Sequence, residues 1–139
     1  FPDFVQPGMA AFEITAFNPY GDAVDDEVNK RRSLELEMEI IGRFSPFRWY
    51  RTYFFSENGW REDGFLLVYH DKRVDDFNWI MDMARRYGQG AIYRYRVEES
   101  DRAAGDPSRR KLLRTTVPVL TPNVECEIEM VADDNCFTG

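Results

Sequence analysis

The feature that most constrains this chain is the order in which its hydrophobic period changes. Residues 10–17 alternate. Phe12, Ile14 and Ala16 fall on one side and Glu13, Thr15 and Phe17 on the other, the period of two that a strand requires. Asn18-Pro19 ends this run, because proline cannot donate to a ladder and biases its predecessor to extended geometry. From about 23 to 42 the spacing predicts a helix. Asp22 is the expected N-cap, and Asp25, Asp26 and Glu27 complement the helix dipole. Val24, Val28, Leu34, Met38 and Ile41 lie close to one apolar stripe, and Gly42 is the expected stop. Two aromatic strands follow, at about 47–55 and 64–70, with Asn58-Gly59 as a turn signal between them. A second helix is predicted at about 73–87, with Phe77, Ile80, Met81, Ala84 and Tyr87 as its apolar face and Gly88 closing it. A further strand covers about 91–98.

This order, β-α-β-β-α-β, is the split β-α-β or ferredoxin-like pattern. It predicts an α+β sandwich with two helices on one face of an antiparallel sheet. Residues 1–9 read as an extended arm that docks through Phe4 and Val5, residues 10–98 as the core domain, and 99–139 as a polar linker and a C-terminal strand extension. Within that tail, 112–120 and 124–131 are strand-like. Val124, Cys126, Ile128 and Met130 face one way and Glu125, Glu127 and Glu129 the other. An apolar strand face needs cover, so Val124, Ile128 and Met130 are expected to be buried, either by extending the domain's sheet or by pairing with a partner.

The chain has 139 residues, enough for one domain with a real core. Its aromatic content of 15% argues against disorder, and no apolar run reaches membrane-span length. A net charge of −7 disfavours nucleic acid and anionic lipid and suits a partner with a basic surface. The local basic cluster Arg109-Arg110-Lys111 with Arg114 reads as a solvated loop. Two cysteines, Cys126 and Cys136, fit neither a disulfide scaffold nor a zinc site. A bridge between them is conceivable, but free thiols in a reducing intracellular compartment are preferred. The chain starts at Phe1, which is consistent with a removed leader, for instance that of a plastid stromal protein, or with a piece of a longer product.

Motifs for chemistry are sparse. The lone His70 stands beside Asp71 without a G-x-S-x-G serine, and there is no P-loop, G-x-G-x-x-G or metal-ligand cluster. No catalytic residue, metal or cofactor is therefore assigned. The acids mostly occupy helix caps or alternate along strands, a pattern that marks solvated faces. More informative are polar residues that the topology would gather at one end of the sheet: Asn18, Asn29, Trp60, Arg85, Arg86 and Gln89. Amides there can tie down turn backbone, the preferred reading, or bind a ligand, in which case Asn18, Asn29, Trp60, Arg86 and Gln89 are the contacts.

The segments "ITAFNP", Asn29 with Leu34, Trp60 with "EDGFLLV", and "ARRYGQGAI" resemble the mainly bacterial family named domain of unknown function 3293. The matched residues are Thr15, Ala16, Asn18, Pro19, Asn29, Trp60, Gly64, Phe65, Arg86, Gly88, Gln89, Ala91 and Ile92, within about residues 11–97. The resemblance implies domain limits and a polar cluster, and no reaction. The function expected from these features is that of a non-catalytic interaction protein, an accessory subunit held on a larger assembly through its terminal extensions. A photosynthetic complex is one example of such an assembly. The alternative is a small-ligand enzyme or sensor using the polar cluster.

Overall fold

The computed structural model describes residues 8–19, 23–45, 48–55, 61–70, 72–99, 110–122 and 124–130. The elements follow in the order β1 (Met9–Thr15), α1 (Asp26–Arg43), β2 (Trp49–Phe55), β3 (Arg61–His70), α2 (Val74–Arg86), β4 (Ala91–Glu99), β5 (Arg110–Pro118) and β6 (Cys126–Met130). The six strands form one sheet in the order β2-β3-β1-β4-β5-β6, antiparallel throughout. The chain therefore has the expected α+β architecture, and its tail continues the same sheet through β5 and β6. Phe4, Val5, Asp22, Asn58, Gly59, Trp60, Asp71, Cys136 and residues 100–109 of the linker lie outside the described residues.

β1 is central. It pairs with β3 from Met9↔His70 to Thr15↔Gly64 and with β4 from Ala10↔Arg96 to Glu13↔Tyr93. Its even residues Ala10, Phe12 and Ile14 join Ala16, Phe65, Leu67, Tyr69 and Ile92 in one core, to which α1 contributes Leu36 and Ile40 and α2 contributes Ile80, Met81, Met83 and Ala84. Both helices therefore cover the same face. Phe12 stacks on Tyr69 at 5.6 Å, and Phe77 tilts against it at 5.7 Å. The other, helix-free face holds a second cluster of Ala11, Leu66, Val68, Tyr95, Val97 and Leu112, with Met9 and Met130 packed at its margin. On that face the chains approach closely at Gly64. A Cβ there would stand 2.9 Å from the Ile14 carbonyl oxygen and 3.2 Å from the Thr52 hydroxyl.

The second helix matches its expected face and stop. The Gly88 amide bonds to the Arg85 carbonyl at 3.0 Å and the Gln89 amide to the Ala84 carbonyl at 2.9 Å, with Gly88 left-handed at φ 69°. This is the Schellman closure, which needs a residue without a Cβ penalty at that position. Asp76 in the first turn of α2 is buried and holds Arg43 and Arg48 at 3.3 Å each, tying together the end of α1 and the entry to β2.

The first helix corrects the sequence reading. It starts at Asp26 after Asp25, whose side chain makes no capping bond. Its buried residues are Asn29, Leu36 and Ile40, whereas Leu34, Met38 and Ile41, expected in the core, are 59%, 62% and 51% exposed. Apolar residues occur on both sides of this helix, and the residue spacing alone selected the wrong side. The tail is also corrected. Val124 and Met130 are half-buried and Ile128 is 38% exposed, so the apolar side of β6 is only partly covered. On the other side of the strand, Glu127 pairs with Arg96 at 2.6 Å. Lys111 and Arg114 belong to β5 and not to a loop.

Leu36→Ala should cost about 2–5 kcal/mol, as expected for a fully buried leucine. Met38→Ala should stay within about 0.5 kcal/mol, as for an exposed site. Urea unfolding of the two variants distinguishes these faces, and the reverse order would restore the stripe inferred from spacing.

Candidate functional site

Two polar constellations stand out. The first lies where β1 hands over to α1. Asn18 adopts a left-handed conformation at φ 45°, which few residues other than glycine tolerate and asparagine does most readily. Its backbone amide donates to Asn29 Oδ1 at 2.9 Å. The amide nitrogen of Asn29 donates in return to Asn18 Oδ1 at 3.1 Å, an oxygen that also accepts from the Val24 amide at 3.4 Å. Asn29 reaches this position from the first turns of α1, with its side chain buried. Gln89 completes the end of the sheet, its Nε2 donating to the carbonyls of Phe17 at 3.2 Å and Tyr87 at 3.1 Å. Arg32 donates to the Ala16 carbonyl at 3.3 Å and lies over the Tyr87 ring at 5.4 Å.

Of the residues assigned from sequence, Asn18, Asn29 and Gln89 thus meet around the backbone of residues 16–18. Arg86 instead pairs with Glu39 at 3.3 Å, and Arg85 with Asp82 at 3.0 Å, both on exposed helix surface. Trp60 is outside the described residues. The exposed His70 accepts from the Lys72 amide at 3.4 Å, a turn contact at the end of β3.

The second constellation was missed, because Glu13 was read as part of a solvated face. Glu13 is 7% exposed and sits on the helix-free side of the central strand. The Thr52 hydroxyl of β2 donates to its Oε1 at 3.1 Å and the Tyr95 hydroxyl of β4 to its Oε2 at 3.1 Å. Burial pushes the carboxyl from 4.5 up to about 7. Thr52 and Tyr95 offset part of that rise, nearby Glu62 adds to it, and Arg114 opposes it. Glu62 is itself raised, chiefly by burial. Tyr95 is pushed above its ordinary range by burial and by the charge of Glu13 beside it. The guanidinium of Arg114 lies 4.4 Å from the centre of the Tyr93 ring. The sequence held one signal for this cluster: a glutamate in mid-strand, flanked by alanine and phenylalanine on one side and isoleucine on the other.

Among the described residues, no group of three His, Cys, Asp or Glu side chains is placed to hold a metal ion. Chemically, the first constellation holds backbone in a strained turn. The second stores a proton close to neutral pH.

Each constellation has a measurable consequence. Asn29→Ala should cost about 1–3 kcal/mol in urea unfolding, because it strips the partly buried Asn18 amide of its acceptor and leaves Asn18 Oδ1 only the Val24 amide. For Glu13 the folded chain binds the proton more tightly than the unfolded chain does. Its stabilising contribution is therefore complete below about pH 4.5 and is lost as pH rises through about 7. Between these limits the wild type should lose about 3 kcal/mol from this group. Glu13→Gln should flatten that part of the stability–pH curve, and an unchanged slope would exclude Glu13 as its source.

The profile of the family described as Protein of unknown function (DUF3293) matches residues 14–92, more than half of the chain. The match runs from β1 to the start of β4 and includes Asn18, Asn29 and Gln89. No curated protein and no solved structure gives a significant match. The extent of the family match, over the segment that the amide contacts close into one unit, places the chain in the DUF3293 family.

Proposed function

We propose that this chain is a non-catalytic interaction domain, an accessory subunit that docks on a larger protein assembly. The observation that carries this reading is the outer stripe of α1. Leu34, Met38 and Ile41 stand at i, i+4 and i+7, each more than half exposed, on the side away from the buried Leu36 and Ile40. Three large apolar side chains in that register match the anchors by which a helix lies in a hydrophobic groove. The exposed Glu35 borders the stripe on one side, with Glu39 paired to Arg86, and the chain carries a net charge of −7. The partner that fits is therefore a protein with an apolar groove and a basic rim. The partly exposed apolar side of β6, with Ile128 and Met130, and the half-buried Val124 just before it offer a second contact on the same assembly. A reducing intracellular compartment is the setting we attach to this reading, in keeping with an exposed, free Cys126.

The ligand-site alternative at Asn18, Asn29, Arg86 and Gln89 ranks second. The amide side chains of Asn18, Asn29 and Gln89 bond to backbone groups and to one another, and the guanidinium of Arg86 is paired with Glu39.

Native mass spectrometry of the endogenous assembly tests the proposal. The wild-type chain should be recovered in a complex, and the triple variant Leu34→Glu, Met38→Glu, Ile41→Glu should be released from it while keeping the wild-type urea midpoint. Single alanine substitutions at these anchors should each weaken association about tenfold. Recovery of the wild type as a lone monomer, or retention of the triple variant, would overturn the reading.

A further inference from the structure

We propose that Glu13, Arg114 and Tyr93 form a proton-operated switch on the helix-free face of the sheet, in which loss of the Glu13 proton draws the Arg114 guanidinium off the Tyr93 ring and toward the carboxylate. The inference is independent of the docking surface on α1.

The geometry places these groups together. Tyr95 stands opposite Arg114 in the β4–β5 ladder, and its hydroxyl donates to Glu13. Tyr93 is opposite Glu13 in the β1–β4 ladder. The titratable and charged groups facing Glu13 are few. β2 supplies Tyr50, on the side of Thr52; β3 supplies Glu62; β4 supplies Tyr93 and Tyr95; and β5 supplies Arg114. Among the described residues, Arg114 is therefore the one cation of this group, and it acts on the Glu13 carboxyl.

The neutral and charged forms of Glu13 ask different things of these neighbours. The neutral acid carries one proton and donates it to the oxygen of Thr52 or Tyr95, so it needs no cation. Arg114 can then rest on the face of Tyr93, a favourable cation–π arrangement. When the proton leaves to solvent, a full negative charge remains in a buried site beside Glu62. Two hydroxyl donors solvate it only in part, and a buried charge is costly unless paired. Arg114 has the missing complement: its Nε is buried and has no hydrogen-bond acceptor among the described residues. An unfilled donor thus stands on β5, across the single strand β4 from an acceptor on β1 that becomes charged. Burial raises the Glu13 carboxyl to about 7, so its change of state falls near neutral pH.

The test is NMR titration of the full chain from pH 5 to 9, following the glutamate side-chain carboxyl carbons and the arginine Nε–Hε signals. Glu13 should titrate near neutral pH, and the Arg114 signal should move with the same midpoint. In Glu13→Gln the Arg114 signal should stay still. In Arg114→Gln the Glu13 midpoint should rise, because the cation that lowers it is gone, and this second variant keeps the test decisive if the first does not fold. A Glu13 midpoint below pH 5, an Arg114 signal that does not follow Glu13, or a Glu13 midpoint indifferent to Arg114→Gln would each overturn the switch.

Discussion

The two-sided burial of β1 is the constraint on which the rest of this structure depends. A strand hydrogen-bonded on both edges has no backbone groups left over, and its side chains alone must satisfy two different environments. The even positions Ala10, Phe12 and Ile14 do so by packing under both helices. The odd positions face the second, smaller cluster, where Ala11 fits against Leu66 and Val68. Glu13 is the exception. A carboxyl at the centre of a sheet persists only when its lone pairs are filled or its charge is suppressed, and here both occur: two hydroxyls bond to it and burial favours its neutral form.

The exit from β1 is governed by the same need for complete hydrogen bonding. The chain must turn sharply into α1, and Asn18 takes a left-handed conformation to do so. Such strain lasts only where its surroundings hold it in place. Asn29 from the helix and Gln89 from beyond the second helix provide that hold, joining segments far apart in sequence. The contacts of these amides fall on the turn backbone and on one another, the role the sequence reading preferred over a ligand site, and the family match covers all three of them.

α1 shows why a helix can mislead. Residues two apart on a helix point to nearly opposite sides, so Leu34 and Leu36 cannot share a core. Both sides carry apolar groups, and only the sheet beneath decides which side is buried. Once Leu36 and Ile40 pack on β1 and β3, Leu34, Met38 and Ile41 are turned outward. That outward stripe is the basis of the proposed docking role. Local spacing could not have revealed it, because the same residues had been assigned to the core.

What the sequence by itself determined is the succession of elements. Period two in "AFEITA", period 3.6 around Phe77, Ile80, Met81 and Ala84, and the glycine stop at Gly88 are local matters of backbone geometry, and each reappears in the structure. The position of the strand–helix junction at Asn18-Pro19 was also legible, but not its conformation: the bias before proline is to extended geometry, and the contacts from Asn29 hold Asn18 left-handed at φ 45° instead. Tertiary structure alone decided the face of α1, the burial of Glu13 and Asp76, and the placement of Arg114 over Tyr93. Each of these depends on which strands become neighbours. A charged residue reads as solvent-facing from its own chain segment, and only the partners brought to it by the sheet, Thr52 and Tyr95 for Glu13 and Arg43 and Arg48 for Asp76, make its burial affordable in free energy.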